Sequence, residues 1–147
     1  MADILDVSTC EYLMTYLDMV RLDGLVLRRV KNQTPEICLA AVQQNGLALE
    51  FVEKQTPEIC FAAVQQNGRA LQFVKEQTPE ICLAAVLRNW RALKWVKEQT
   101  PEMCLAAVKQ EGMAQMYVKD PTLAAEMSLV VVKQYVVDAW MCAEMKK

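Results

Sequence analysis

The sequence predicts an all-α fold: an αα-repeat solenoid of short helix pairs with a 22-residue period and divergent terminal repeats. Three observations carry this. Cys38, Cys60, Cys82 and Cys104 are spaced 22 residues apart. The block QTPEICLAAVQQNG at residue 33 returns with few changes at 55, 77 and 99. Each copy also opens on Thr-Pro-Glu, a helix start signal, and self-similarity at such a period marks a stacked repeat.

Six units fill a single domain over 1–147, at about 11–32, 33–54, 55–76, 77–98, 99–120 and 123–144. The first is degenerate, keeping Val20, Gly24, Leu25, Leu27 and Val30 in the columns of Val42, Gly46, Leu47, Leu49 and Val52. In the last, Glu126-Met127-Ser128-Leu129 lines up with Glu102-Met103-Cys104-Leu105 at an offset of 24, after an insertion around Pro121. Terminal units with one neighbour are expected to diverge.

Within a unit, Thr34 is the N-cap, Pro35 suits the first helical position and Glu36 places negative charge at the positive end of the dipole. The first helix is expected to run to Asn45, with Gly46 as its stop. A second, shorter helix should span Leu47 to about Lys54, until the next Thr-Pro ends it. Cys38, Ala41 and Val42 share one face at i, i+3, i+4 spacing, and Ala48, Phe51 and Val52 repeat that pattern. The column Gln43, Gln65, Leu87, Lys109 varies freely and is expected to face solvent. Invariant alanine at 48, 70, 92 and 114 implies close approach between helices.

The segment from Glu36 through Leu49 and its copies resembles the repeat of the domain-of-unknown-function family 4116, with its Ala-Ala-Val, polar pair, Asn-Gly and Leu-Ala-Leu run before an aromatic. The likeness covers about residues 11–142 and departs at Trp90, in the glycine column, and at Val136. It implies tandem helical repeats and carries no catalytic residues.

Composition narrows function. The chain has 147 residues, 54% of them hydrophobic, a net charge of -2 and no histidine. Without imidazole, the usual triads and most zinc sites are removed. A linear cysteine ladder, with repeats about 9–10 Å apart, neither closes disulfides nor converges on a metal, so these thiols read as core filler. Cys10 and Cys142 lie outside the ladder. The carboxylates Glu36, Glu58, Glu80 and Glu102 read as solvated helix-start charges. No enzyme, cofactor or metal is therefore expected. With no signal-like or membrane-length apolar run, the setting expected is cytoplasmic and reducing, with no membrane partner.

Function is expected where the copies disagree. Unit 77–98 carries Arg88, Trp90, Arg91 and Lys94, and Arg69 shares the column of Arg91. If the glycine column required positive φ, Trp90 would strain the backbone or fuse the two helices. Trp with Arg is the composition of a binding hot spot. These five residues are expected to bind a protein with an acidic surface, as a non-enzymatic scaffold, adaptor or inhibitor. An inhibitor of a bacterial defence system, encoded by a phage or mobile element, is one version of that reading. Nucleic-acid binding through the same patch is an alternative that the acidic balance weighs against. The C-terminal segment is apolar around most of its circumference, and six of nine methionines lie at or after Met103. Val132, Tyr135, Val136, Trp140 and Met141 are expected to mediate homodimerisation or structural self-assembly, unless the segment folds back over the last repeat.

Overall fold

Five helix pairs stack in chain order and a long sixth helix closes the series, in a computed structural model that describes residues 15–146. The first part of unit one and Cys10 lie outside the described residues. Each pair is a short α-helix followed by a six-residue 3₁₀ helix. The α-helices are α1 (Tyr16–Leu22), α2 (Pro35–Gln44), α3 (Pro57–Gln66), α4 (Pro79–Arg88), α5 (Pro101–Gln110) and α6 (Pro121–Met145). The 3₁₀ helices, here η1 to η5, are Gly24–Arg29, Gly46–Phe51, Gly68–Phe73, Trp90–Trp95 and Gly112–Tyr117. No strand occurs among the described residues.

The start signals work as the chemistry requires. Thr34, Thr56, Thr78 and Thr100 each accept a hydrogen bond from the third amide of their helix, with proline at the first position. The four helix-start glutamates are exposed. The stop differs from expectation. Asn45, not Gly46, ends α2 in an extended conformation, and its side chain accepts from the Leu47 amide to cap η2. One asparagine therefore closes one helix and opens the next. Asn67 and Asn89 repeat this, whereas Glu111 makes no such side-chain bond.

The second element of each unit differs as well. It is a 3₁₀ helix ending at Phe51, not an α-helix reaching Lys54. The 3₁₀ period of three residues brings Gly46, Leu49 and Val52 onto one buried line. Leu27, Leu49, Leu71 and Leu93 become the largest fully buried side chains, a column that α-type spacing overlooked. Phe51 is only half-buried against that core. The other core columns sit as expected, with Cys38, Ala41, Val42, Ala48 and Val52 buried and the column of Gln43, Gln65, Leu87 and Lys109 exposed.

Two glutamine columns tie neighbouring units together. At one end, Gln66 Oε1 accepts from the Gly46 amide at 2.7 Å while its Nε2 donates to the Gln44 carbonyl. Gln44 makes the same bracket to Gly24 and Leu22. At the other end, Gln55 Nε2 donates to the Phe73 carbonyl and its Oε1 accepts from the Lys75 amide. The Cys60 thiol donates to that same oxygen at 3.5 Å. Gln33, Gln77 and Gln99 pair with Cys38, Cys82 and Cys104 in the same way. A ladder cysteine thus fills a small apolar slot and orients the carboxamide that hooks two units together.

Candidate interaction surface around Trp90

The glycine column explains why Trp90 matters. No residue among those described has positive φ, so glycine is not needed for a left-handed turn. It is needed for contact. A Cβ on Gly46 would stand 2.3 Å from the Ala63 carbonyl oxygen of the next unit, and one on Gly68 would stand 2.5 Å from that of Ala85. Backbone meets backbone there, and any side chain must push the next helix away.

Trp90 does so. α4 still ends at Arg88 and Asn89 stays extended, so the two helices of this unit remain separate and no backbone strain arises. The adjustment appears instead in the hydrogen bonds of unit five. Gln66 Nε2 reaches 22 residues back, but Gln110 Nε2 reaches 24 and 23 back, to Val86 and Leu87. Lys75 and Lys97 donate to carbonyls 22 residues back, but Lys119 reaches 23 back to Val96 at 2.6 Å. Gln99 gains a second acceptor at Leu93. The fourth junction is shifted by about one residue against the pattern of its neighbours.

The displaced space holds an aromatic stack. The Trp90 ring lies 5.8 Å from that of Tyr117 at 28° between planes, and the Arg91 guanidinium sits 4.9 Å above Trp90. Lys94 covers Trp95 in the same unit, 4.5 Å from its ring centre. Trp90 and Trp95 are half-buried and packed against the core, whereas Arg69, Arg88, Arg91 and Lys94 are exposed. The half-buried indole is thus supported by Tyr117 and Arg91, Lys94 lies on Trp95 instead, and no cation–ring contact joins Arg69 or Arg88 to either indole. Sequence reasoning missed Tyr117 as part of this cluster, because it lies 27 positions along the chain and its column elsewhere holds core aromatics.

The other candidate chemistry is absorbed by the scaffold. Cys38, Cys60, Cys82, Cys104 and Cys142 are free thiols. Burial pushes the four ladder thiols above their ordinary value, away from the thiolate form that nucleophiles and metal ligands need. Among the described residues, no three Cys, Asp or Glu side chains converge to hold a metal. The cavities are open grooves between units, such as one of about 510 Å³ between the N-termini of α4 and α5. No helix among the described residues is long and apolar enough to cross a membrane.

Residues 34–78 match the family model described as "Domain of unknown function (DUF4116)". The matched stretch runs from the Thr34 cap to the Thr78 cap, so the resemblance rests on two complete units, α2–η2 and α3–η3. Both matched units carry glycine at the contact position, and Trp90 lies beyond them. No curated protein and no solved structure matches the chain.

The C-terminal residues expected to self-associate lie on α6. Its first turns take the place of the next first helix: Met127 is buried, and Val131 stands 3.1 Å from where a Cβ on Gly112 would be. Beyond Val131 the helix projects from the rod, with the Tyr135 hydroxyl still reaching back to 3.9 Å from where a Cβ on Gly112 would be. Every residue from Val132 to Lys146 is exposed, so the segment does not fold back over the last repeat.

Proposed function

We propose that this chain is a non-enzymatic protein-binding module, a short helical-repeat scaffold whose specific contact surface is the basic platform at units three and four. The observation that carries this reading is the Trp90 cluster. The chain gives up the regular glycine contact at one junction and holds a tryptophan there in contact with Tyr117 and Arg91. Preorganised aromatic and arginine groups are what interface hot spots are made of, because little side-chain entropy is lost on binding. Arg69, Arg88, Arg91 and Lys94 favour a partner with an acidic surface by complementarity of charge. An inhibitor or adaptor role fits such a surface equally well. The exposed half of α6 is a second surface, suited to self-association, and is separate from the basic platform.

The test is affinity capture from the native host with wild-type chain and with the double substitution Arg88→Glu, Arg91→Glu. Both positions are exposed, so the fold is expected to survive, and circular dichroism checks that. A partner retained by the wild type and lost by the double variant supports the proposal. Identical captured proteins would end it. Capture of nucleic acid instead of protein would favour the alternative reading of the same patch.

A further inference from the structure

The projecting half of α6 carries a regular seam that the rod does not use. Leu129, Val132, Val136, Ala139 and Ala143 follow one another at alternating steps of three and four, the a/d pattern of a coiled coil, and all five are exposed. The side of α6 that packs on the rod is marked by Leu123, Met127 and Val131. At 100° per residue the seam lies roughly 160° around the helix from that side. Tyr135 and Trp140 flank it, one on each edge. The charged residues inside the projecting part of α6, Lys133, Asp138 and Glu144, occupy none of the a or d positions, and the seam ends before Lys146 at the C-cap.

The geometry points to a second copy of this chain as the occupant of the seam, the two α6 helices pairing with their rods on opposite outer sides. Three features select a copy over another partner. Heptad spacing is self-complementary, since an a/d stripe is what another a/d stripe packs against. The seam faces away from the rod, so a copy can approach without collision. The area is also sufficient. Leu129, Val132, Tyr135, Val136 and Trp140 keep 62%, 58%, 66%, 63% and 64% of their surface in water. Covering most of it on two copies removes on the order of 1,200 Å², the lower end of a specific stable interface. Helix segments this short are marginal alone in water, so the projecting turns gain most from such pairing. Met141 and Val137 lie off the seam and contribute less.

Sedimentation equilibrium of the full chain tests this, run in reductant because Cys142 is exposed. The wild type is expected to reach a dimer by about 100 µM, with Val136→Glu at least tenfold weaker. Gln134→Lys, on the opposite side of the same turn, is expected to dimerise as the wild type does. If Val136→Glu loses helical signal, Ala139→Glu reads the same seam. A wild-type monomer at the highest concentration would overturn the proposal, and so would seam variants that assemble as tightly as wild type. The double variant Arg88→Glu, Arg91→Glu is expected to leave the dimer intact, which keeps this test independent of the basic platform.

Discussion

The junction between units two and three and the junction between units four and five are built from nearly the same sequence and solve different problems. At the first, Gly46 lets backbone touch backbone, and Gln66 clasps the Gly46 amide and the Gln44 carbonyl. At the second, Trp90 fills the glycine position, α5 is displaced, and Gln110 and Lys119 find carbonyls one or two residues further back. One junction is optimised for stacking. The other gives up that contact and gains an aromatic platform with Arg91 above it. The difference teaches that a repeat array can place an aromatic platform by relaxing a single interface, because each unit touches only its neighbours.

The sharpest way to break this comparison is Gly46→Ala. Its methyl group meets a backbone oxygen with no flexible atom to give way, so a loss of about 2–3 kcal/mol is expected from overpacking. Thermal unfolding would measure it. Trp90→Ala should cost less, about 1–2 kcal/mol from lost stacking and burial. If the two substitutions cost the same, glycine at this column is not set by contact.

The glutamine brackets come next. Gln66→Ala leaves the buried Gly46 amide without its acceptor, a cost of about 1–3 kcal/mol. The reciprocal change, Arg88→Gln, supplies an acceptor to the Gly68 amide, which Arg88 has no oxygen to provide. Denaturant unfolding is expected to show a gain of about 0.5–1.5 kcal/mol. No gain would mean that the bracket depends on more than the carboxamide.

The thiol ladder makes a pH prediction. Burial raises the folded-state thiol values above the ordinary 9.0, so unfolding exposes groups that release protons more readily. The stabilising effect is complete below that value and is lost as pH rises through the folded-state values. Unfolding midpoints are therefore expected to fall in mildly alkaline buffer, and Cys60→Ala should reduce the fall. In the native chain a thiol reagent should label Cys142 and spare the four ladder cysteines. Rapid labelling of Cys60 would show that the ladder is open. The smallest effect is expected from Arg91→Ala, about 0.5–1 kcal/mol, read as a change in tryptophan fluorescence with a small shift in midpoint.

Much of the fold was legible because the chain repeats its own argument. Thr-Pro-Glu starts, alanine columns and cysteine slots could each be read four times over. The second element was misjudged as α-helical because six residues are too few to separate a period of 3.0 from one of 3.6, and Leu49 was lost from the expected core for that reason. The candidate surface was legible in part. Its basic groups and Trp90 stood out as departures from the repeat, but Tyr117 did not, since nothing in its own column is unusual. In α6, Val132, Tyr135, Val136 and Trp140 were visible as apolar excess, while their division into seam and flank required knowing which side touches the rod.

By itself, the sequence determined the period, the helix starts, the core columns of the first helix and the place where the repeat is interrupted. Those follow from local chemistry and from counting. Only the tertiary structure decided why glycine stands where it does, and where the space for Trp90 comes from. The controlling atom is a carbonyl oxygen of the following unit, and close approach between elements distant along the chain leaves no mark on the sequence except the small residue that permits it.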